Sequence, residues 1–304
     1  MFKHLLVPLD GSRLAEAALP AAAFLAARLG ASVTLIHIIE RDAPKAVHGE
    51  HHLTSGDEAC AYLEAAAQHM QEHAAGVTLE VERHVHTADM KDVAKGIVEH
   101  VEELAPDLIV MCTHGTGGLR DVLFGNIAQQ VVARGTTPVV LIRPTEEGVA
   151  ESFTCRRLLV PLDGSPEHER SLPAAVEIGY ACPAELHLVF IVPTLGTLAG
   201  QQAATGRLLP GATHAMLDMA QRDAETYLRK HMSELRNRGL TVTAELERGD
   251  PATGILASAR RADSDMIVLG THGRTGTDAF WTGSTAAKVL ARSNCPLLLV
   301  PVDA

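Results

Sequence analysis

The sequence predicts an α/β protein made of two tandem, doubly wound domains, each built on a five-stranded parallel sheet. Three observations carry that prediction. The octapeptide LLVPLDGS stands at residues 5–12 and again, letter for letter, at 158–165, and the same order of patterns follows each copy, as a duplicated domain leaves behind. Short β-branched or Leu-rich runs lack polar alternation, which marks strands covered on both faces. Stretches with helical pattern separate those runs, so successive strands are joined by helical crossovers.

In the first copy the strand runs are HLLVPL 4–9, SVTLIHII 32–39, VTLEVERHV 77–85, DLIVMC 107–112 and PVVLIR 138–143. The Ala-rich segments 13–29, 54–75 and 89–104 fill the gaps as helices. In the second copy the runs are RLLVPL 157–162, ELHLVFIV 185–192, LTVTAELE 240–247, DMIVLG 265–270 and PLLLVPV 296–302. A polar linker, RPTEEGVAESFTCR 143–156, divides the chain near residue 150, which sets the domains at 1–146 and 155–304. The second copy carries about twelve extra residues within 193–216. A connection of that length with several glycines is either a lid over a site or a disordered loop.

The chain has 304 residues, 46% of them hydrophobic, enough for two cores. Its 26 Lys and Arg against 37 Asp and Glu leave a formal charge of −11, which repels nucleic acid and anionic membrane surfaces. No run approaches the length of a membrane helix, and the N-terminal apolar run is broken by Pro8 and Asp10, so a first strand is expected there rather than a secretion signal. The five cysteines Cys60, Cys112, Cys155, Cys182 and Cys295 are odd in number, widely spaced and without a C-x-x-C pair. A reducing cytoplasm is the expected location.

Chemistry is expected where strands end and helices begin, because helix N-termini there present unpaired N–H groups and a partial positive charge. The stretch LGTHGRTGTDAFWTGSTAAKV, 269–289, lies at such a place. Gly270, Gly273 and Gly276 let backbone amides approach an oxyanion, and Gly283 with Ser284 opens the last helix, the serine as its cap. There is no lysine for G-x-x-x-x-G-K-[ST], and no G-x-G-x-x-G follows the first strand, so the common NTPase loop and the dinucleotide enzymes are disfavoured.

Gly270-x2-Gly273-x9-Gly283-Ser284 resembles the ATP-binding signature G-x2-G-x9-G-[ST] of the universal stress protein family. The VPLDGS start, the THGR loop and the closing CPLLLV strand extend the resemblance over nearly the whole chain. It implies a Rossmann-like fold of the adenine nucleotide alpha hydrolase-like class and the binding of ATP with Mg2+. Carried onto matching positions, it implicates Asp163 at the ribose or metal, Ile191 at adenine through its backbone, and Gly270, Gly273, Gly283 and Ser284 at the phosphates, with Arg274 as an added phosphate candidate. The residues alone allow a second role for Asp163, as a helix cap in Asp-Gly-Ser.

The first copy keeps Asp10, Ile38, Gly115 and Gly125 but has Cys112 in place of the first glycine and Asn126 in place of the serine. Its glycine motif is degenerate, and ATP is expected mainly in the second domain. The side chain at 112 either crowds the phosphates or points into the core. The resemblance also implies pairing of the two copies through their last strands. A homodimer of the whole chain and a protein partner are further expectations.

His48, Glu50, His51 and His52 form a donor-rich group, expected as a solvated loop. His84 and His86 share one face of a strand, and imidazoles so placed suit zinc or nickel. His114 and His272 are expected to shape their loops rather than move protons. No acid and base are paired by spacing, so a sensor or regulator that binds ATP is expected. A slow ATPase and a scaffold independent of nucleotide are the alternatives.

Overall fold

The computed structural model describes residues 2–40, 46–47, 50–113, 126–144, 152–198, 200–272 and 284–302. Two units emerge, one of residues 2–154 with 296–302, the other of residues 155–271 with 284–295.

In the first unit the strands are β1 (His4–Pro8), β2 (Ser32–Glu40), the short pair β3 (Ala46–Val47) and β4 (Glu50–His51), β5 (Val81–Met90), β6 (Leu108–Cys112) and β7 (Val139–Ile142). The helices are α1 (Arg13–Glu16), α2 (Leu19–Leu29), α3 (Gly56–Glu72), α4 (Val93–Leu104) and α5 (Asn126–Arg134). The sheet order is β7-β6-β1-β2-β5, every neighbouring pair parallel, with the order reversing beside β1. The chain's last strand, β12 (Leu297–Val302), adds antiparallel beside β7 with Leu298 opposite Val140.

The second unit repeats the scheme. Its strands are β8 (Arg157–Leu162), β9 (Glu185–Val192), β10 (Val242–Arg248) and β11 (Met266–His272), in the parallel order β10-β9-β8-β11. Its helices are α6 (Ser171–Ala181), α7 (Gly200–Leu208), α8 (Pro210–Asn237), α9 (Pro251–Arg261) and α10 (Thr285–Arg292). Among the described residues no helix is long and apolar enough to cross a membrane.

Local chemistry explains the boundaries. Leu5, Leu6 and Val7 of β1 and Leu158, Leu159 and Val160 of β8 are fully buried, as central strands covered on both faces require. The helical stretch 13–29 divides at Ala17–Ala18 into α1 and α2, with Pro20 in the first turn of α2, where its missing N–H costs nothing. Ala21, Ala22, Ala23 and Ala26 are all buried, so α2 lies close on the sheet. Ser12, Ser55, Asp92, Asp250 and Ser284 each accept a backbone N–H three residues on and so start α1, α3, α4, α9 and α10.

Among the described residues the insertion within 193–216 opens with the turn 194–198 and is then helical, as α7 and the first turns of α8. Pro210 begins α8 and holds Leu209 out of the helical region (φ −130°, ψ 61°), which separates the two helices. The 28 residues of α8 span about 42 Å and bury Thr213, Leu217, Ala224, Leu228 and Leu235 as one stripe.

Candidate functional site

The Asp-Gly-Ser turn that ends the first strand is built alike in both copies. Gly11 and Gly164 take φ of +90° and +80°, a region open to glycine and closed to most other residues. That turn lets Asp10 Oδ1 accept the Ser12 N–H at 2.9 Å and Asp163 Oδ1 accept the Ser165 N–H at 2.9 Å. The bond two residues on is an Asx turn rather than a helix cap. In the first copy Ser12 then caps α1, and its Oγ–H donates to Asp10 Oδ1 at 2.7 Å. In the second copy a 3-10 turn, His168–Arg170, follows, and His168 Nδ1 lies 2.7 Å from Asp163 Oδ2.

This hydrogen-bonded pair sets the electrostatics of the second site. Burial raises the Asp163 pKa, but the bonds from His168 and Ser165 outweigh it and leave the carboxyl below its ordinary value. Its partner moves oppositely: the hydrogen bond to Asp163 raises His168 above the ordinary imidazole value, against burial.

Gly270, near the end of β11, faces this pair. A Cβ there would stand 3.2 Å from both the Cα and the carbonyl oxygen of His168. The matching residue of the first copy, Cys112, is buried at 2% exposure, so its side chain belongs to the core, and burial pushes its thiol pKa well up. Ser284 precedes α10 in extended conformation, and its Oγ accepts the Ala287 N–H at 3.1 Å. Asn126 begins α5. Gly115, Gly125, Gly273, Arg274 and Gly283 lie outside the described residues, as do His48 and His114.

Ile38 and Ile191 stand at matching places near the ends of β2 and β9, and both face a helical glycine. A Cβ on Gly96 of α4 would meet Ile38 Cδ1 at 2.9 Å, and one on Gly254 of α9 would meet Ile191 Cδ1 at 2.7 Å. Neither glycine belongs to a recognisable motif, although Gly254 follows Gly96 by the same 158 residues that separate the glycine loops. Nothing in the spacing of His168 marks it either, since only the turn brings it back to Asp163. Beside Ile191, Phe190 and Val192 pack with Leu195, Leu198 and Leu217 of the insertion, so α8 walls the end of β9. Tyr227 of α8 stacks edge-on against Phe190 and donates to Glu169 Oε1 at 2.8 Å.

The other histidines divide. His51 is exposed, 3.7 Å from Glu58, whereas His52 is buried at 6% exposure, so this pair is not wholly a solvated loop. His84 and His86 gather with His100 of α4.

The fold and this arrangement define a class: a duplicated, doubly wound α/β protein with candidate ligand residues gathered at the carboxyl ends of its strands. The family model described as "Universal stress protein family" matches residues 1–143 and again 154–301. The chain belongs to the universal stress protein family, as a tandem, two-domain member. A universal stress protein of Mycolicibacterium smegmatis is 26% identical over 311 residues, covering 97% of this chain and 96% of its own. Universal stress protein MJ0531 of Methanocaldococcus jannaschii is 26% identical over 145 residues, 48% of this chain and 81% of its own. The fold is shared with protein PA1789 of Pseudomonas aeruginosa (TM-score 0.67, 18% identity, 99% and 93% of the two chains). It is shared as well with a universal stress protein of Archaeoglobus fulgidus (TM-score 0.63, 18% identity, 98% and 96%).

Proposed function

We propose that this protein binds ATP with Mg2+, mainly in its second domain (155–304, the first being 1–146), and acts in the cytoplasm as a stress sensor or regulator. One observation carries the reading. The pattern Gly270-x2-Gly273-x9-Gly283-Ser284 leaves the end of a parallel strand and arrives at a serine that caps a helix N-terminus. A strand end followed by capped amide donors is the setting that favours a phosphate chain. On this reading Ile191 meets adenine through its backbone, Gly270, Gly273, Arg274, Gly283 and Ser284 meet phosphate, and Asp163 meets ribose or Mg2+. Asp163 fits a cation, since its carboxyl is held ionised.

In the first domain Asp10, Ile38, Gly115, Gly125 and Asn126 make the weaker site, because no hydroxyl stands where Ser284 does. Pairing of the two copies through their last strands, a homodimer and a protein partner complete the proposal, and the antiparallel β7–β12 ladder supports the first of these. A second reading, a scaffold independent of nucleotide, draws support from the insertion and the turn of α8 that follows it, where Leu208, Leu209, Met216 and Met219 are exposed at 59–80%.

Mass spectrometry of the denatured pure protein and titration with labelled ATP test the proposal. Adenine nucleotide in the first and saturable binding in the second, both lost in the Gly273→Val, Ser284→Ala double variant, are expected. No nucleotide in either measurement overturns it and favours the scaffold. Turnover unchanged in the double variant would be contamination rather than a slow ATPase.

A further inference from the structure

We propose that His84, His86 and His100 form a binding site for a divalent transition-metal ion, Zn2+ foremost, with Glu103 at its rim. The site lies in the first domain, on the strand beside Ile38, and no established property of the chain assigns it.

The fold brings the three imidazoles together. His84 and His86, two apart on β5, share one face of the strand, and α4 brings His100 to it. One ligand atom from each ring lies within 4.8 Å of the others. His86 Nδ1 and His100 Nε2 are 3.2 Å apart. Tetrahedral zinc with Zn–N near 2.05 Å sets neighbouring nitrogens about 3.3 Å apart, so that edge of the polyhedron is already present. The His84 nitrogen lies within 4.8 Å of these two and must close to that spacing to complete the set.

His100 is prepared for this chemistry. It is buried at 4% exposure, and its Nδ1–H donates to the Gly96 carbonyl at 2.8 Å. That bond leaves Nε2 with its lone pair toward the cluster, the tautomer and orientation that a second-shell carbonyl imposes on metal-binding histidines. Glu103 Oε2 lies 3.9 Å from the same Nε2. His86 spends one nitrogen on His100, and its Nε2 is buried without a hydrogen-bond partner. Three imidazoles that face one another share too few protons to satisfy every lone pair. A cation between His86 Nδ1 and His100 Nε2 takes both of those lone pairs and leaves the His86 proton on Nε2.

The duplicated domain supplies an internal comparison. His84 and His86 pair with Ile36 and Ile38 of β2, while Glu245 and Glu247 pair with Val189 and Ile191 of β9. Ser258 and Arg261 follow His100 and Glu103 by 158 residues. In that copy the Arg261 guanidinium joins Glu245, at 2.8 Å, and Glu247, and Ser258 donates to Glu245 at 2.6 Å. The second copy thus places its own cation between two carboxylates. In the first copy every one of these positions differs: the carboxylates are imidazoles, the serine is an imidazole, and the arginine is Glu103. Where the second copy has a side-chain cation, the first has a set of metal donors, three nitrogens and one oxygen, suited to zinc.

The test uses the full chain, stripped with chelator, titrated with Zn2+ against a chromogenic competitor and separately with Co2+. One tight equivalent per chain and the visible bands of tetrahedral Co2+ are expected. His86→Ala and His100→Ala should each weaken Zn2+ by at least about 100-fold, since even outer-shell losses cost 10–100-fold. The His51→Ala, His52→Ala double variant should bind as the parent does. His86→Ala alters a partly exposed strand residue, and thermal unfolding of the metal-free variant checks its fold. Zn2+ should raise the melting temperature of the parent but not of this variant. A parent that binds no more tightly than the triple His→Ala variant, or a tight equivalent that survives in that variant, overturns the proposal.

Discussion

Replacing Gly270 by alanine tests how the second site is assembled. The added Cβ would stand 3.2 Å from the Cα and the carbonyl oxygen of His168 and 3.4 Å from its Cδ2. Carbon atoms pack best at about 3.5–4.0 Å, so the strand end and the 168–170 turn must separate by a few tenths of an ångström. Two of the three atoms are backbone, so no rotamer change relieves the clash. Overpacking of this kind costs about 1–3 kcal/mol. For a unit of this size that is a fall in melting temperature of roughly 2–12 °C. The same displacement pulls His168 from Asp163, whose bond at 2.7 Å depends on that turn. Calorimetry gives the first quantity, and NMR titration of His168 the second. An alanine variant as stable as the parent, with His168 titrating unchanged but ATP binding lost, would refute this reasoning. The glycine would then serve ligand approach alone. The reverse change in the first copy, Cys112→Gly, should also destabilise, because it empties a buried position.

Two further predictions concern charge. The raised pKa of His168 makes its contribution to stability complete below its unfolded value of 6.5 and lost as pH rises through the folded value. Asp163→Asn should therefore lower the NMR midpoint of His168 and remove that component of the pH profile, and a midpoint that does not move would contradict the pairing. Glu245 is pushed up by burial, but hydrogen bonds from Ser258, Arg261 and His187 outweigh this and leave its pKa at about 2. Its contribution is present above its unfolded value of 4.5 and lost as pH falls toward about 2, so Arg261→Ala should shrink the stability difference between neutral and acid solution, measured by denaturant unfolding.

The agreement between sequence and structure is closest where local pattern decides. The runs 157–162 and 185–192 are β8 and β9 to the residue. The expected strand 77–85 is displaced to Val81–Met90, because an edge strand with polar residues has no continuous apolar run to mark its ends. The insertion, which sequence left as lid or disorder, is helical because Leu217, Ala224 and the end of β9 bury one another. Of the candidate residues, the turns at Asp10 and Asp163 and the cap at Ser284 were legible as local structure, since turn and cap chemistry is local. His168 was not, because its role depends on a turn that returns it to Asp163.

The sequence by itself determined the duplication, the α/β class and the strand ends where the candidate residues stand, because repeats, periodicity and caps act over a few residues. Only the tertiary structure decided which distant groups meet: His100 with His84 and His86, Arg261 with Glu245 and Glu247, Gly254 with Ile191, β12 beside β7. Those meetings follow from strand register and from how each helix lies on the sheet. Local pattern encodes neither, since each is set by packing between segments far apart in the chain.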